Sequence, residues 1–221
     1  LLDLDHAQMH SCMSLAFSMA GGSKCQLGSM AKPLHAGLAA QHGVYAAWLA
    51  ADGIQGIKEP FDGHWGFRDL FAGDDSPGFE NVIDKIGHPL AIEEYGLMAK
   101  IYPNCASVHC SADGVISLMS QNQLEPSDIE RVKVHVPKVT FEHLRYPHPR
   151  DELQARFSMQ YGIALAIEQG EMSLSDFQPD AVTRPKMTDW YERIEMLRDD
   201  SQREFPVPAN TLEPAEVHLQ L

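Results

Sequence analysis

Apolar positions follow two rhythms along this chain. Up to residue 96 they recur at helical spacing, and from residue 97 strand-like alternation appears between helices. Met9, Met13, Leu15, Ala16 and Met19 supply the stripe of a first helix, which Asp5 can cap and Gly21-Gly22 can end. A second helix, about five turns long by the rise of an α-helix, runs from Pro33 to the Asp52-Gly53 stop. Proline suits its first position, because the missing N–H would have no partner there and φ is already helical. The body of this helix is rich in small residues (Ala36, Gly37, Ala39, Ala40, Gly43, Ala46, Ala47, Ala50, Ala51), which predicts close packing among other helices. Short helices are predicted at 67–71 and 79–86, around a turn cluster at 73–78.

Beyond the change of rhythm, Met98 to Tyr102 reads as a short strand broken by Pro103, and Asn104 or Ser107 can cap a helix to about Ser120. Ile129-Glu-Arg-Val-Lys-Val-His-Val136 alternates apolar and polar with β-branched residues on one side, the pattern of a half-buried antiparallel strand. Asp151 to Gln169 reads as helix with Gly170 past its end, and Ser173 to Phe177 as a turn. A short helix after Pro185 reaches about Tyr191, and strands follow over 193–198 and from Ala215. The predicted fold is α+β. Residues 1–96 form part of a helical domain, and residues 97–221 form a smaller α+β domain with an antiparallel sheet, truncated at its C-terminal end.

Composition narrows the class. A length of 221 residues supports one large domain or two small ones. No apolar run approaches the roughly 20 residues that cross a bilayer. The formal charge of -14 repels nucleic acid and anionic lipid in bulk, so an anionic ligand has to be held by local cations. The four cysteines lack the paired spacing of a structural zinc site, which predicts reduced thiols and a cytoplasmic setting. The chain opens on Leu-Leu-Asp-Leu-Asp with no initiator Met or basic leader and stops within an alternating strand pattern. An internal piece of a longer protein is expected.

The chemistry-bearing residues cluster at two helix starts. In Gly28-Ser-Met-Ala-Lys-Pro-Leu-His-Ala-Gly37 a lysine, Lys32, stands before a proline at the mouth of the small-residue helix. Free N–H groups and the positive dipole end favour an anion there, and an ammonium adds a full charge. Lys100-Ile-Tyr-Pro-Asn-Cys-Ala-Ser-Val-His109 repeats the arrangement. If the two mouths face one another, they make a receptor for a compound with two or three carboxylates, and a lysine beside another cation has its pKa lowered toward that of a proton acceptor. His35 and His109 follow in the first turns, where the dipole favours neutral imidazole. Cys105 and Ser107 lie at the second helix start, and Arg156 and Tyr161 on the helix from Asp151 can reach the same cavity. Alone, each of these residues reads equally as a solvated lysine, a core histidine or a buried aromatic. His6 and His10, one helical turn apart, read as two polar positions on a solvated face, with no third metal ligand nearby. No phosphate loop or nucleophile elbow is present.

Taken with Ile129 to Pro137 and Ala155-Arg-Phe-Ser-Met-Gln-Tyr161, these two segments resemble the MmgE/PrpD family over nearly the whole chain and in the same order. That family includes 2-methylcitrate dehydratases, cis-aconitate decarboxylases and iminodisuccinate epimerases. The resemblance implies a large helical domain joined to a smaller α+β domain, a homodimer, and chemistry without metal or organic cofactor. It also implies that Lys32 and Lys100 belong to the active site, with His35 and His109 close by. This chain has Cys105 and Phe141 where the decarboxylase branch has His and Tyr, and Leu34 where the dehydratases tend to have Trp. The implied function is that of a lyase or isomerase acting on a small di- or tricarboxylate by removing the proton α to a carboxylate. The alternative is a non-catalytic family member that binds a ligand or serves as a scaffold.

Overall fold

The computed structural model describes residues 2–62, 64–71, 83, 84, 86–201 and 214–221. The turn cluster at 73–78 and most of the helix predicted at 79–86 lie outside the described residues. The chain divides into two compact units, one of Leu1–Gln26 and Met30–Ala91, the other of Leu27–Ser29 and Ile92–Leu221.

In the first unit, α1 (His6–Ser18) starts where Asp5 predicts. The Asp5 carboxylate accepts the Gln8 backbone N–H at 2.8 Å, and the Gln8 side chain accepts the Asp5 N–H at 3.0 Å. Two donors that a helix start leaves without partners are thereby satisfied. A single 3-10 turn follows at Lys24–Gln26, and then α2 (Ala31–Ala51), which packs against α1. Helix α2 begins two residues before the predicted Pro33, so the proline is its third residue. The physical reason is the same, since the first turn of any helix lacks acceptors for its N–H groups. The expectation that α2 is buried among other helices is corrected. Only Ala46 and Ala50 are buried in it, while Leu34, Val44, Tyr45 and Trp48 are exposed. Small residues admit α1 closely on one side, and the rest of the apolar surface faces outward. A short helix, α3 (Phe67–Phe71), sets Phe67 and Phe71 edge-on to Phe17 of α1.

The second unit holds the larger core. Helix α4 (Ala91–Tyr95) precedes an irregular stretch over 96–105. The strand predicted at Met98 to Tyr102 does not form. Pro103 can donate no ladder hydrogen bond, and the run before it is too short to pair on its own. After a 3-10 turn at Ala106–Val108 come α5 (His109–Asn122), β1 (Arg131–Val136), α6 (Lys138–His143), α7 (Glu152–Ala155) and α8 (Met159–Gln169). The helix predicted over Asp151 to Gln169 is thus two helices. The Ser158 hydroxyl accepts the Tyr161 N–H at 3.1 Å and caps α8, so the hydroxyl competes with helix continuation and wins. Gly170, at φ 70°, ends α8 in the left-handed conformation predicted for it. A 3-10 turn (Leu174–Phe177), α9 (Pro179–Val182), α10 (Pro185–Thr188), β2 (Ile194–Arg198) and β3 (Glu216–Gln220) complete the unit.

The sheet runs in the order β2-β1-β3 and is mixed, where an antiparallel one was predicted. Strand β1 pairs antiparallel with β3, Val134 opposite Val217, and parallel with β2, Val134 opposite Met196. The parallel pair follows from the connection, because five short helices cross between β1 and β2 and a crossover of that kind returns the chain in the same direction. Val132, Val134 and Val136 are fully buried while Arg131 and Lys133 are exposed, as the alternation requires. Against the inner face lies α8, whose residues from Met159 to Ile167 are all buried, with α5 packed beside it. Each such apolar side chain removed from water contributes about 1.5–3 kcal/mol, which makes α8 the centre of the unit. Just before β2 the Arg193 guanidinium donates to the carbonyls of Ile129 and Glu130 and lies 3.8 Å from the centre of the Trp190 ring.

Candidate active site

The second unit gathers Lys100, Tyr102, Cys105, Ser107, His109 and Arg156 around one bend of chain. Lys100 folds back so that its Nζ donates to the Asn104 carbonyl at 2.8 Å, closing the bend. The Cys105 N–H donates to the Arg156 carbonyl at 2.9 Å, which ties the bend to the break between α7 and α8. Gly162 lets the 3-10 turn press onto α8, since a Cβ there would collide with Val108 Cγ1. Ser107 and His109 are buried as a result, and Cys105 and Arg156 are half-buried.

His109 is the first residue of α5 and is 1% exposed. Its Nε2 is buried without a hydrogen-bond partner. Burial and then the positive charge of Lys100 push its pKa below the usual 6.5, against opposing pulls from the Asp113 charge and the Tyr102 carbonyl. A neutral imidazole with a buried, unpartnered nitrogen can accept a proton, and a nearby ammonium can bind a carboxylate. The Tyr102 ring stands edge-on to it at 5.1 Å between centroids, and the Tyr102 hydroxyl donates to Asp113 Oδ1 at 2.5 Å. Burial, then the bond to Asp113 and its charge, push that phenol up to about 12. Asn104 is buried with Oδ1 unpartnered, as are Ser111 Oγ and Arg156 Nε.

Sequence reasoning passed over Tyr102, Asn104 and Asp113. Asp113 was detectable, because it follows His109 by four residues and so shares its helix face. Tyr161, predicted to line the cavity, lies in the core. Its hydroxyl donates to the Asp176 carbonyl, its ring packs edge-on against Phe177, and burial pushes its pKa up to about 12.

The first unit carries Lys32 and His35. Lys32 is exposed at the second position of α2, and His35 is half-buried one turn on. His35, Leu38 and His42 of α2 face Met19 and Gly22 across a cavity of about 330 Å³. Gly22, at φ 113°, passes so near that a Cβ would lie 3.1 Å from His35 Cγ and Nδ1. His6 and His10 are exposed with ring centroids 4.6 Å apart. Among the described residues no group of three or more His, Cys, Asp or Glu could hold a metal ion, and no helix is long and apolar enough to cross a membrane. None of the four cysteines is disulfide-bonded.

Comparison with known families joins the two halves. Residues 1–80 match the MmgE/PrpD N-terminal domain and residues 102–219 the MmgE/PrpD C-terminal domain. The chain belongs to the MmgE/PrpD family. Among curated proteins it is 29% identical over 201 residues to a cis-aconitate decarboxylase from Homo sapiens, and 27% identical over 204 residues to one from Mus musculus. Each match covers 88% of this chain and 40% of the relative, so the chain spans less than half the length of the curated relatives it matches.

Proposed function

We propose that this chain carries part of the active site of a cofactor-independent lyase or isomerase that removes the proton α to a carboxylate of a small di- or tricarboxylate. The observation that supports this most is His109, buried and neutral, with Nε2 unoccupied and the Lys100 ammonium acting on it. Lys100 and Lys32 would hold carboxylates, and His109 would accept the proton, with His35 as the candidate partner from the first unit. Loss of a β-hydroxyl as water then completes a dehydration; reprotonation from the opposite face completes an epimerisation. A second reading is decarboxylation, favoured by the similarity to the two cis-aconitate decarboxylases. Cys105 and Phe141, the two departures from the decarboxylase branch, weigh against it. The working form is proposed to be a homodimer.

The test is an NMR screen of the full-length protein in heavy water against citrate-like and succinate-like acids. Deuterium exchanged into the recovered substrate, or loss of water, supports proton abstraction, whereas release of CO2 with one solvent deuteron taken up by the product and no exchange in the recovered substrate selects decarboxylation. Binding with no chemistry would make the protein a ligand-binding family member.

A further inference from the structure

We propose that Tyr102 and Asp113 are positioning residues that act through Lys100, their hydrogen bond latching the bend that carries Lys100 onto the helix that carries His109. The bend has little of its own to hold it. Residues 97–104 form no helix or strand, and among the described residues they exchange no backbone–backbone hydrogen bond, so side chains set where the bend lies. Lys100 does not supply that hold. Its Nζ donates to the Asn104 carbonyl at 2.8 Å, inside the same bend, so the ammonium goes where the bend goes. The Cys105 N–H donates to the Arg156 carbonyl, which fixes where the bend ends but not where Lys100, earlier in the chain, is held.

Tyr102 makes the connection that is left. Its hydroxyl donates to Asp113 Oδ1 at 2.5 Å, a short charge-assisted bond. Burial first, then the bond to Asp113 and its charge, push the phenol up to about 12, so the hydroxyl keeps its proton and stays the donor across the neutral range. Asp113 stands four residues after His109 on α5, on the same helix face and about 6 Å along the axis. The Tyr102 ring packs edge-on against the imidazole, 5.1 Å between centroids. One tyrosine thus spans from the acid to the histidine, and a single residue, Ile101, separates it from Lys100. The acid and the imidazole sit on one helix, so the placing of the ammonium against the imidazole depends on this bond. The consequence for turnover rests on the reading of Lys100 as a carboxylate-holding group, but the latch does not.

The experiment uses the full-length protein and two readouts. Trypsin can cut after Lys100, and a bend released from α5 offers that bond more often. Cleavage after Lys100, followed by mass spectrometry, should quicken about tenfold in Tyr102→Phe and in Asp113→Ala, with cleavage elsewhere unchanged as evidence of folding. Asp113→Asn keeps an acceptor oxygen and should fall between. Unchanged cleavage after Lys100 in either folded variant overturns the proposal. With a carboxylate that the protein turns over, Tyr102→Phe should lower kcat/KM by about tenfold, and the same change added to Lys100→Ala should lower it no further. A full additional loss in that double variant overturns the action through Lys100, because a bond that merely stabilises the fold costs the same whether or not the ammonium is present. Full turnover in Lys100→Ala would instead remove the carboxylate reading, with quickened cleavage still upholding the latch and unchanged cleavage overturning it.

Discussion

The Tyr146 ring is packed against Gly28. A Cβ on Gly28 would fall within 2.6 Å of Tyr146 Cζ and 2.7 Å of its hydroxyl oxygen, and that hydroxyl donates to the neighbouring Leu27 carbonyl at 2.5 Å. Gly28 is also at φ 82°, in the left-handed region. Both features demand glycine where the Gly28-Ser-Met-Ala-Lys-Pro motif begins. Replacement by alanine would cost about 1–2 kcal/mol for the backbone and would also displace the ring and break its bond to Leu27. A lowered melting temperature and loss of the Tyr146 hydroxyl contact are expected for Gly28→Ala. An unaltered melting temperature would show that the ring makes no firm contact there.

Tyr161→Phe separates a structural role from a role in binding. Removing the hydroxyl leaves the buried Asp176 carbonyl without its donor, a loss of about 1–3 kcal/mol. The urea midpoint should drop accordingly while KM for a carboxylate substrate stays the same. A raised KM at unchanged stability would return Tyr161 to the substrate pocket.

The degree to which this fold could be read in advance depends on whether local chemistry alone decides each element. Asp5 and Gln8 cap α1 with their own side chains, and Val132, Val134 and Val136 alternate with polar residues, so both elements are specified within a few residues. The parallel pairing of β1 with β2 is not, because it depends on where the intervening helices deliver Ile194. The break before α8 hinges on the Ser158 hydroxyl, a signal that also fits mid-helix serine. At the candidate site, Lys100 and His109 stand out by residue type and spacing. The Tyr102–Asp113 bond does not, since it closes an irregular bend onto a helix and neither residue type is unusual there.

Lys100→Ala and Lys32→Ala, each made in the full-length protein, should lower kcat/KM by well over tenfold if the ammonium groups bind carboxylates. The exposed position of Lys32 on α2 predicts little change in melting temperature for its variant. Lys100 also anchors the bend through the Asn104 carbonyl, so its variant should lose a modest amount of stability, about 1 kcal/mol. Lys100→Arg keeps the charge and should recover part of the binding, at a raised KM. Full turnover in both alanine variants would refute the assignment.

Acid should weaken the second unit through His109. In the folded chain its pKa is lowered, by burial first and the Lys100 charge second, so the unfolded chain takes up a proton that the folded chain resists. Wherever the unfolded state binds more protons, stability rises with pH. His109 therefore contributes its full stabilisation above the usual 6.5 and loses it as pH falls from there toward the folded value. Asp176 does not confuse this window. Burial works to raise its carboxyl, but bonds from Ser173 and Gln169 and the charge of Arg184 outweigh that and lower it, so its own loss comes below 3.8. Urea midpoints measured from about pH 7.5 to about pH 5.5, the range where imidazole titrates, should fall more steeply for the unaltered protein than for His109→Gln. The remaining histidines contribute equally to both curves, and the difference between them isolates His109. Parallel curves would mean that the ring charges as readily inside the fold as outside it, and the neutral proton acceptor would be lost.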